Sequence, residues 1–292
     1  ADTIVVWNSD LHELLHYRNR LTLTATFRFN PTETEDNMTQ EDAIVCQNRP
    51  LKNDYWKLEL QTERLASFVA PGQFVHMELP DAEQHVLRRP FSVFDINEEN
   101  GHLWMIYKIV GQGTQLLSQT QPQEKINLLG PLGKGFTLCS EDQTPVIVAG
   151  GYGTAATHLL ARTLPRPPVV LIGARTDDDL LCIDAFSALG CTVYPILEQG
   201  NTEHQGKVTD LLPQILDSLD THPAIYACGP PGMLRAVSDI VQYRGLDAEV
   251  SLEHRMCCGV GACFACVVKM KTEEPPGWRY VRTCRDGPVF KA

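Results

Sequence analysis

The sequence predicts three units in one chain: a small antiparallel β-barrel, an α/β unit built on a parallel sheet, and a short cysteine-bearing C-terminal unit. Three observations predict them. Short strand-like runs divided by Asn, Pro and Gly turns fill residues 42 to about 140, strand and helix patterns alternate from 145 onward, and the cysteine-rich stretch begins at Cys257. A chain of 292 residues is long enough for two packed cores plus appendages.

Residues 1–41 form an N-terminal extension that ends in the polar stretch NPTETEDNMTQED, which has the composition of a linker. Inside it LTLTATFRF alternates like an edge strand. His12-Glu13-Leu14-Leu15-His16 matches the HExxH pattern, in which two histidines one helical turn apart hold zinc. Such a helix needs a folded domain around it and a third ligand. At the beginning of this chain the expected role is a solvated helical face.

The barrel is expected over residues 42–142, with strands at AIVCQ, YWKLEL, QFVHMEL, FSVFDI, LWMIYKIV and KINLLG. Over 143–252 strand–helix pairs follow one another: PVIVAGG with TAATHLLARTL, PVVLIGA with DDDLLCIDAFSALG, TVYPILE with VTDLLPQILDSL, AIYACG with PPGMLRAVSDIVQYRG, and then AEVSLE. That alternation specifies a parallel sheet wrapped by helices. Residues 253–292 carry the cysteines and the connection TEEPPGW, and this unit is expected to depend on a bound metal group for its order.

A net charge of −11 and a pI near 5.3, with no Lys/Arg block, argue against nucleic acid as a partner. No apolar run approaches the ~20 residues that span a bilayer, and ADTIVVWNSD lacks the charged start and apolar core of a signal peptide. The expectation is a soluble, cytoplasmic protein without a membrane partner. Outside the C-terminal set, Cys46, Cys139, Cys182, Cys191 and Cys228 are scattered without a disulfide framework, which fits a reducing compartment.

Cys258, Cys263 and Cys266 are spaced C-x4-C-x2-C, and Cys284 follows after seventeen residues. This is the plant-type ligand spacing for a 2Fe-2S cluster. Gly259, Gly261, Ala262 and Ala265 are small, so the loop can wrap closely and turn backbone N–H groups toward sulfur. Zinc prefers two short-spaced pairs, and here only Cys263 and Cys266 form one. Cys257 gives an x5 first spacing and is assigned as a bystander.

Two further motifs suit nucleotide cofactors. Arg88-Arg89-Pro90-Phe91-Ser92 opens a strand: Arg89 offers a charged fork for a pyrophosphate, Pro90 and Phe91 hold the strand extended, and Ser92 offers a hydroxyl. Gly113-Thr114 then opens a helix with N–H groups and a cap hydroxyl. Together they suit a flavin; each alone is equally an ordinary turn. Gly150-Gly151-Tyr152-Gly153-Thr154 follows the first parallel strand and permits close phosphate approach, though its spacing is not GxGxxG and a glycine turn there is also common scaffolding. Cys228-Gly229-Pro230 ends a later strand, where ligands of such sheets bind. Cys228 there either faces a nicotinamide ring or is simply a small buried residue.

RRPFS, YKIVGQGT, GPLGKGF, AGGYGTAA, YACGPPGML, SLEHRMCCGVGACFACVVK and CRDGPVF, in this order, resemble the electron-transfer subunits of NAD-linked, two-subunit dihydroorotate dehydrogenase, a branch of the ferredoxin reductase superfamily. The resemblance covers about residues 42–292 and is most specific at CGVGAC and CRDGPVF. It implies FAD on Arg89, Pro90, Phe91, Ser92, Ile106, Tyr107, Lys108, Gly113 and Thr114, and NAD or NADP near Gly150, Gly151, Gly153, Thr154, Cys228, Gly229 and Pro230. It also implies a 2Fe-2S cluster on Cys258, Cys263, Cys266 and Cys284, and a hetero-oligomer with an FMN-containing dehydrogenase subunit. Tyr152 and Ala155-Ala156 depart from the family's nicotinamide loop, and the family normally starts near residue 42. Arg175 beside Asp177, at the adenosine end of the site, points both to NADP and to NAD.

The implied activity is a relay. Two electrons pass as hydride between nicotinamide and FAD, the flavin splits the pair, and the cluster exchanges single electrons with a second flavoprotein. A related reductase serving ferredoxin or a sulfur-compound enzyme is the alternative within the fold. A metal-sensing regulatory protein is the alternative outside it.

Overall fold

The computed structural model describes residues 37–80, 86–200 and 202–292. The HExxH stretch and the LTLTATFRF run lie outside the described residues.

Seven antiparallel strands make the first sheet: β1 (Thr39–Lys52), β2 (Tyr55–Gln61), β3 (Phe74–Met77), β4 (Arg89–Ser92), β5 (Asp95–Asn97), β6 (His102–Lys108) and β7 (Lys125–Leu132). Their order is β4-β3-β7-β1-β2-β6-β5. The sheet curls on itself, so that Phe91 of β4 meets Tyr107 of β6 edge-on at 6.1 Å between ring centroids. Period-two alternation drives the curl: Leu58, Leu60, Leu103, Met105, Met77 and Leu128 point inward and are fully buried, while their neighbours face out. Two differences from the sequence reading stand out. FSVFDI is two strands rather than one, because the chain breaks at Val93–Phe94 and both side chains sink into cores instead of continuing a ladder. β1 starts at Thr39, inside the polar stretch, where it pairs with Gly130 of β7.

A short helix α1 (Gln112–Leu117) plugs the barrel with the buried Leu117. The second sheet runs β11-β10-β9-β8-β12-β13 and ends on a C-terminal edge strand, with β8 (Thr144–Gly150), β9 (Val169–Ala174), β10 (Thr192–Leu197), β11 (His204–Gln205), β12 (Pro223–Cys228) and β13 (Ala248–Ser251) all parallel. Its centre, β8, is buried on both faces, which explains its unbroken apolar run. The helices are α2 (Gly153–Ala156), α3 (His158–Thr163), α4 (Ile183–Ala188), α5 (Val208–Asp217) and α6 (Pro231–Arg244). TAATHLLARTL, expected as one helix, is divided at Thr157 into α2 and α3. α6 starts on Pro231 and stops at Gly245, whose φ of 64° is the left-handed cap that glycine takes at least cost.

The C-terminal segment adds a hairpin of β14 (Val267–Lys271) and β15 (Trp278–Arg282). It then returns as β16 (Val289–Lys291), antiparallel to β13 at the edge of the α/β sheet. The cysteine segment is therefore bracketed by two neighbouring strands of that sheet. No helix among the described residues is long and apolar enough to cross a membrane.

Candidate functional site

The loop from Met256 to Cys266 is shaped by glycine. Gly259 and Gly261 have φ of 73° and 80°, a region that side chains with a Cβ avoid. At Gly259 there is also no room, since an added Cβ would lie 2.7 Å from Cε1 of His76. Arg282 braces the loop from β15: its Nη1 donates to the Gly261 carbonyl at 3.1 Å, and its Nε donates to Asp286 Oδ2 at 3.1 Å.

This wrapping brings the four expected cysteines together as two pairs. The amides of Ala262 and Cys263 donate to Cys258 Sγ at 3.3 and 3.4 Å, and the Cys284 amide donates to Cys266 Sγ at 3.5 Å. Burial acts to raise the Cys258 thiol, but the amides of Cys263, Val260 and Ala262 and the Cys263 thiol outweigh it and bring it down to about 7. The Cys284 thiol donates to Cys266, which falls to about 6, while Cys284 itself is pushed up by that same bond. Two pairs of sulfurs with amides already turned toward them fit a cluster of two irons, each taking two thiolates. Cys257 is half-buried and takes no part in either pair. Cys266 and Cys284 are buried and Cys263 is exposed, so the site has a sealed side and a surface side.

The sealed side rests on the barrel. Phe74, Leu132, Cys266 and Cys284 form one apolar cluster, joined by Leu129, Met256 and Val260. Phe74 and His76 lie on the outer face of β3, opposite Ser92 and Pro90 of β4. The cysteine loop and the RPFS strand are thus neighbours across a single strand pairing.

At the start of β4 two consecutive arginines, Arg88 just before the strand and Arg89 as its first residue, have different work. Arg88 is held by Glu78 Oε2 at 2.9 Å, by the Asn127 carbonyl at 3.0 Å and by Asn127 Oδ1 at 2.5 Å. Arg89 bonds only to the carbonyls of Leu87 and Arg88, and forms no ion pair among the described residues. Its fork is available for an anion, and Ser92 beside it is exposed. On β6, Tyr107 points into the barrel, where its hydroxyl donates to Asn48 Oδ1 at 3.0 Å, so only its backbone faces the site. Ile106 and Lys108 face outward. Thr114 Oγ1 accepts from the Val110 amide at 2.9 Å and donates to the Gly111 carbonyl at 3.1 Å, fixing the turn. Gly113 passes so close to Leu79 that a Cβ would approach its Cδ1 to 2.5 Å. Val110 stands 77% exposed beside Gly111, around which an added Cβ would meet nothing within 4 Å. An unpaired guanidinium, an exposed hydroxyl and an open apolar turn at one barrel edge fit a flavin dinucleotide.

In the α/β unit, Gly150 closes β8 and Gly151 takes φ 56° with open space around it. Gly153 is pressed against β12, where an added Cβ would lie 2.6 Å from the Cys228 carbonyl oxygen. Thr154 is fully buried and its hydroxyl has no partner among the described residues. Cys228 is 1% exposed, and burial together with the charge of Glu253 pushes its thiol upward. Gly229 and Pro230 pack against Gly150 and Met233. The glycine turn and the CGP strand end therefore meet at the carboxyl edge of the sheet, which is where open α/β sheets bind their ligands. Tyr152 hydrogen-bonds Glu253, the residue at which the cysteine segment begins. Glu253 was not singled out in the sequence, and the only local sign of it is its place just past a strand end.

Asp179 is a second residue that the sequence did not expose. It accepts from Tyr55 Oη and Lys108 Nζ, both at 3.1 Å, while Lys52 reaches Asp177 Oδ2 at 2.7 Å. Lys108, expected at the flavin, has its ammonium on the other unit. Arg175 is mostly exposed and only 3.7 Å from Asp179 Oδ2.

Comparisons with known proteins agree with this division. Family models match the iron-sulfur cluster binding domain of dihydroorotate dehydrogenase B at residues 253–292, an oxidoreductase FAD-binding domain at 43–136 and an oxidoreductase NAD-binding domain at 147–239. The electron transfer subunit of dihydroorotate dehydrogenase B (NAD(+)) from Fusobacterium nucleatum is 33% identical over 261 residues, covering 87% of this chain and 98% of the relative. Its Bacillus cereus counterpart is 36% identical over 258 residues, covering 87% and 97%. Among solved structures, the NADH-dependent reduced ferredoxin-NADP oxidoreductase superposes with a TM-score of 0.73 at 26% identity, over 85% of this chain and 87% of that one. The ferredoxin reductase of carbazole 1,9a-dioxygenase shares the fold, with a TM-score of 0.61 at 21% identity over 72% and 67%.

Proposed function

The chain belongs to the electron transfer subunits of NAD-dependent dihydroorotate dehydrogenase B, and from that membership we propose how its residues divide the work of the relay. When bound, FAD exchanges a hydride with the nicotinamide, and a 2Fe-2S cluster carries electrons singly. The chain's own part is to bind, orient and shield.

Arg89 takes the dinucleotide's pyrophosphate, with Pro90, Phe91, Ser92, Ile106, Tyr107, Lys108, Gly113 and Thr114 lining the flavin site through side chain or backbone. Gly150, Gly151, Gly153 and Thr154 would admit the nicotinamide dinucleotide, while Gly229 and Pro230 shape the strand end at which Cys228 would meet its nicotinamide part. Cys228 is kept a neutral thiol by burial, so it contributes shape and no charge there. Cys258, Cys263, Cys266 and Cys284 hold the cluster.

The observation that carries this reading is the seating of the Gly259 loop against His76, whose strand partner is Pro90. It brings the cysteine pairs next to the flavin strand, with no third cofactor needed between them. The exposed Cys263 lies beside the exposed Phe264, and Trp278 and Tyr280 add exposed aromatic surface on the adjoining hairpin. Partner docking belongs on this side. Phe290 and Val260, by contrast, pack within the chain. The partner is a catalytic subunit that carries FMN and oxidises dihydroorotate, and the assembly works in the cytoplasm.

Steady-state assays test the reading. The purified chain should oxidise NADH with an artificial acceptor and leave dihydroorotate untouched, and dihydroorotate-dependent NAD reduction should arise only on adding the FMN subunit. Dihydroorotate turnover by the chain alone would overturn it. Failure to bind any such subunit, together with reduction of ferredoxin, would favour the reductase reading suggested by the similar ferredoxin-linked structure.

A further inference from the structure

His76 sits in the middle of β3, is fully buried, and has neither Nδ1 nor Nε2 bonded to any group among the described residues. A buried imidazole with both nitrogens unsatisfied is rare, because each polar atom taken from water must normally find a partner. The ring's surroundings show where the partner belongs. Its Cε1, Nδ1 and Nε2 lie 2.7, 2.8 and 2.9 Å from the point that a Cβ on Gly259 would occupy, near-equal distances that put this point over the ring's face beside its nitrogen-bearing edge, so the ring lies flat against the cysteine loop between Cys258 and Val260 with both nitrogens alongside it. On its own strand the neighbours are Phe74, with ring centroids 5.8 Å apart, and Pro90 across the ladder. Neither of these side chains offers a hydrogen-bond acceptor.

We infer that His76 is a positioning residue for the iron-sulfur centre, donating its ring N–H to a sulfur of the bound cluster and linking the cysteine loop to the flavin strand. The inference rests on the assignment of a 2Fe-2S cluster to Cys258, Cys263, Cys266 and Cys284. Three features support the role. Burial, with Arg88 and Arg89 nearby, keeps the ring neutral with its pKa lowered to about 4, so it carries one N–H and no charge at neutral pH. The absence of a Cβ at Gly259 is what allows the ring to reach the loop. Hydrogen bonds to cluster sulfurs are one of the means by which a protein sets the reduction potential. A donated N–H stabilises the reduced, more negative cluster, so its removal makes the cluster harder to reduce.

The test uses the full chain with FAD and cluster loaded, and compares wild type with His76→Leu, which keeps bulk and removes the donor, and His76→Gln, which restores a donor. Iron and flavin content, the electron paramagnetic resonance of the reduced cluster and its midpoint potential are read together. The expected result is full iron in both variants, with His76→Leu shifted downward by about tenfold in the reduction equilibrium, which is 59 mV for a one-electron couple. His76→Gln should recover most of the shift. An unchanged potential and spectrum in His76→Leu overturn the inference, as do equal shifts in both variants, which would mean packing alone.

If His76→Leu loses its iron, the wild type decides. With histidine labelled by the heavy nitrogen isotope, spin-echo spectroscopy should detect a nitrogen coupled to the reduced cluster. His254, near enough to lower the Cys266 thiol, is the competing source, so the coupling must survive His254→Asn. A cluster signal without histidine coupling refutes the role of His76. Wild type with no iron and no cluster signal refutes the cluster assignment itself.

Discussion

The ammonium of Lys108, on the barrel strand β6, lies 3.1 Å from Oδ1 of Asp179, in the loop that follows β9 of the α/β sheet. Together with Tyr55 on the same oxygen and Lys52 on Asp177, this contact fastens the two large units to each other.

Replacing Asp179 by Asn should loosen that fastening without unfolding either unit. Both side chains are part-exposed, so the loss in stability is about 1 kcal/mol or less. Burial acts to raise the Asp179 carboxyl, but the hydrogen bonds from Lys108 and Tyr55 and the charges of Lys108 and Arg175 outweigh it and hold it below its ordinary value. A carboxyl lowered in the folded state adds stability that is complete above the unfolded value of about 4 and is lost as pH falls through the lowered one. The contact should therefore be intact throughout neutral pH. Hydrogen exchange across residues 175–181 should quicken in Asp179→Asn, and unaltered exchange there would show the contact to be incidental.

Cys263→Ser should abolish iron binding while leaving NADH reduction of FAD largely in place, since Cys263 lies on the exposed side of the cluster, away from the barrel and the glycine turn. Cys257→Ser should keep its iron. Iron analysis beside a visible spectrum checks both, and a loss in Cys257→Ser as large as in Cys258→Ser would move the first ligand by one position.

Arg88→Ala and Arg89→Ala should fail in different ways. The first strips Glu78 and Asn127 of a mostly buried partner and should lower stability by about 1–3 kcal/mol. The second should leave the apoprotein's melting temperature unchanged and weaken FAD retention by about 1.5–3 kcal/mol, roughly tenfold to a hundredfold. Stoichiometric, tightly held flavin in Arg89→Ala would remove it from the site.

Gly153→Ala should be costly in a way that Gly151→Ala is not. At position 153 the new methyl would meet the Cys228 backbone, which has no freedom to retreat within β12, and overpacking of that kind costs about 1–3 kcal/mol. At position 151 the space is open and only the φ of 56° resists, at about 1–2 kcal/mol. Thermal unfolding ranks the two, and NADH titration should show the larger loss of affinity in Gly153→Ala. Equal affinity in both would mean that the turn does not cradle the nucleotide.

Much of this arrangement was legible in the sequence because it is local. The C-x4-C-x2-C spacing holds its ligands within one loop, and the strand-then-helix rhythm after residue 145 follows from parallel strands needing helical crossovers. The remainder depends on distant partners. His76 sits in the apolar run QFVHMEL, and only its contact with Gly259, far along the chain, separates it from an ordinary core position. Lys108 lies within a flavin-like motif yet is claimed by Asp179, which no period or spacing could announce. The break in FSVFDI reflects two cores competing for adjacent side chains, Val93 and Phe94, and a one-dimensional pattern cannot register that.

The segment from 253 to 287 leaves the α/β sheet and re-enters it at a single point, because the Leu252 amide donates to the Pro288 carbonyl at 2.8 Å and β13 and β16 continue the ladder on either side. Topologically it is a cassette whose two ends already touch. Exchanging it between relatives, or excising it for a tight hairpin turn, should leave the host sheet's hydrogen bonds intact. What such an exchange must carry with it is the matching face of the barrel and of the sheet's core, where Phe74 and Leu132 meet the buried cysteines and Met270 and Val281 join the host's apolar cluster, so the one-electron terminal is separable by its backbone and not by its packing.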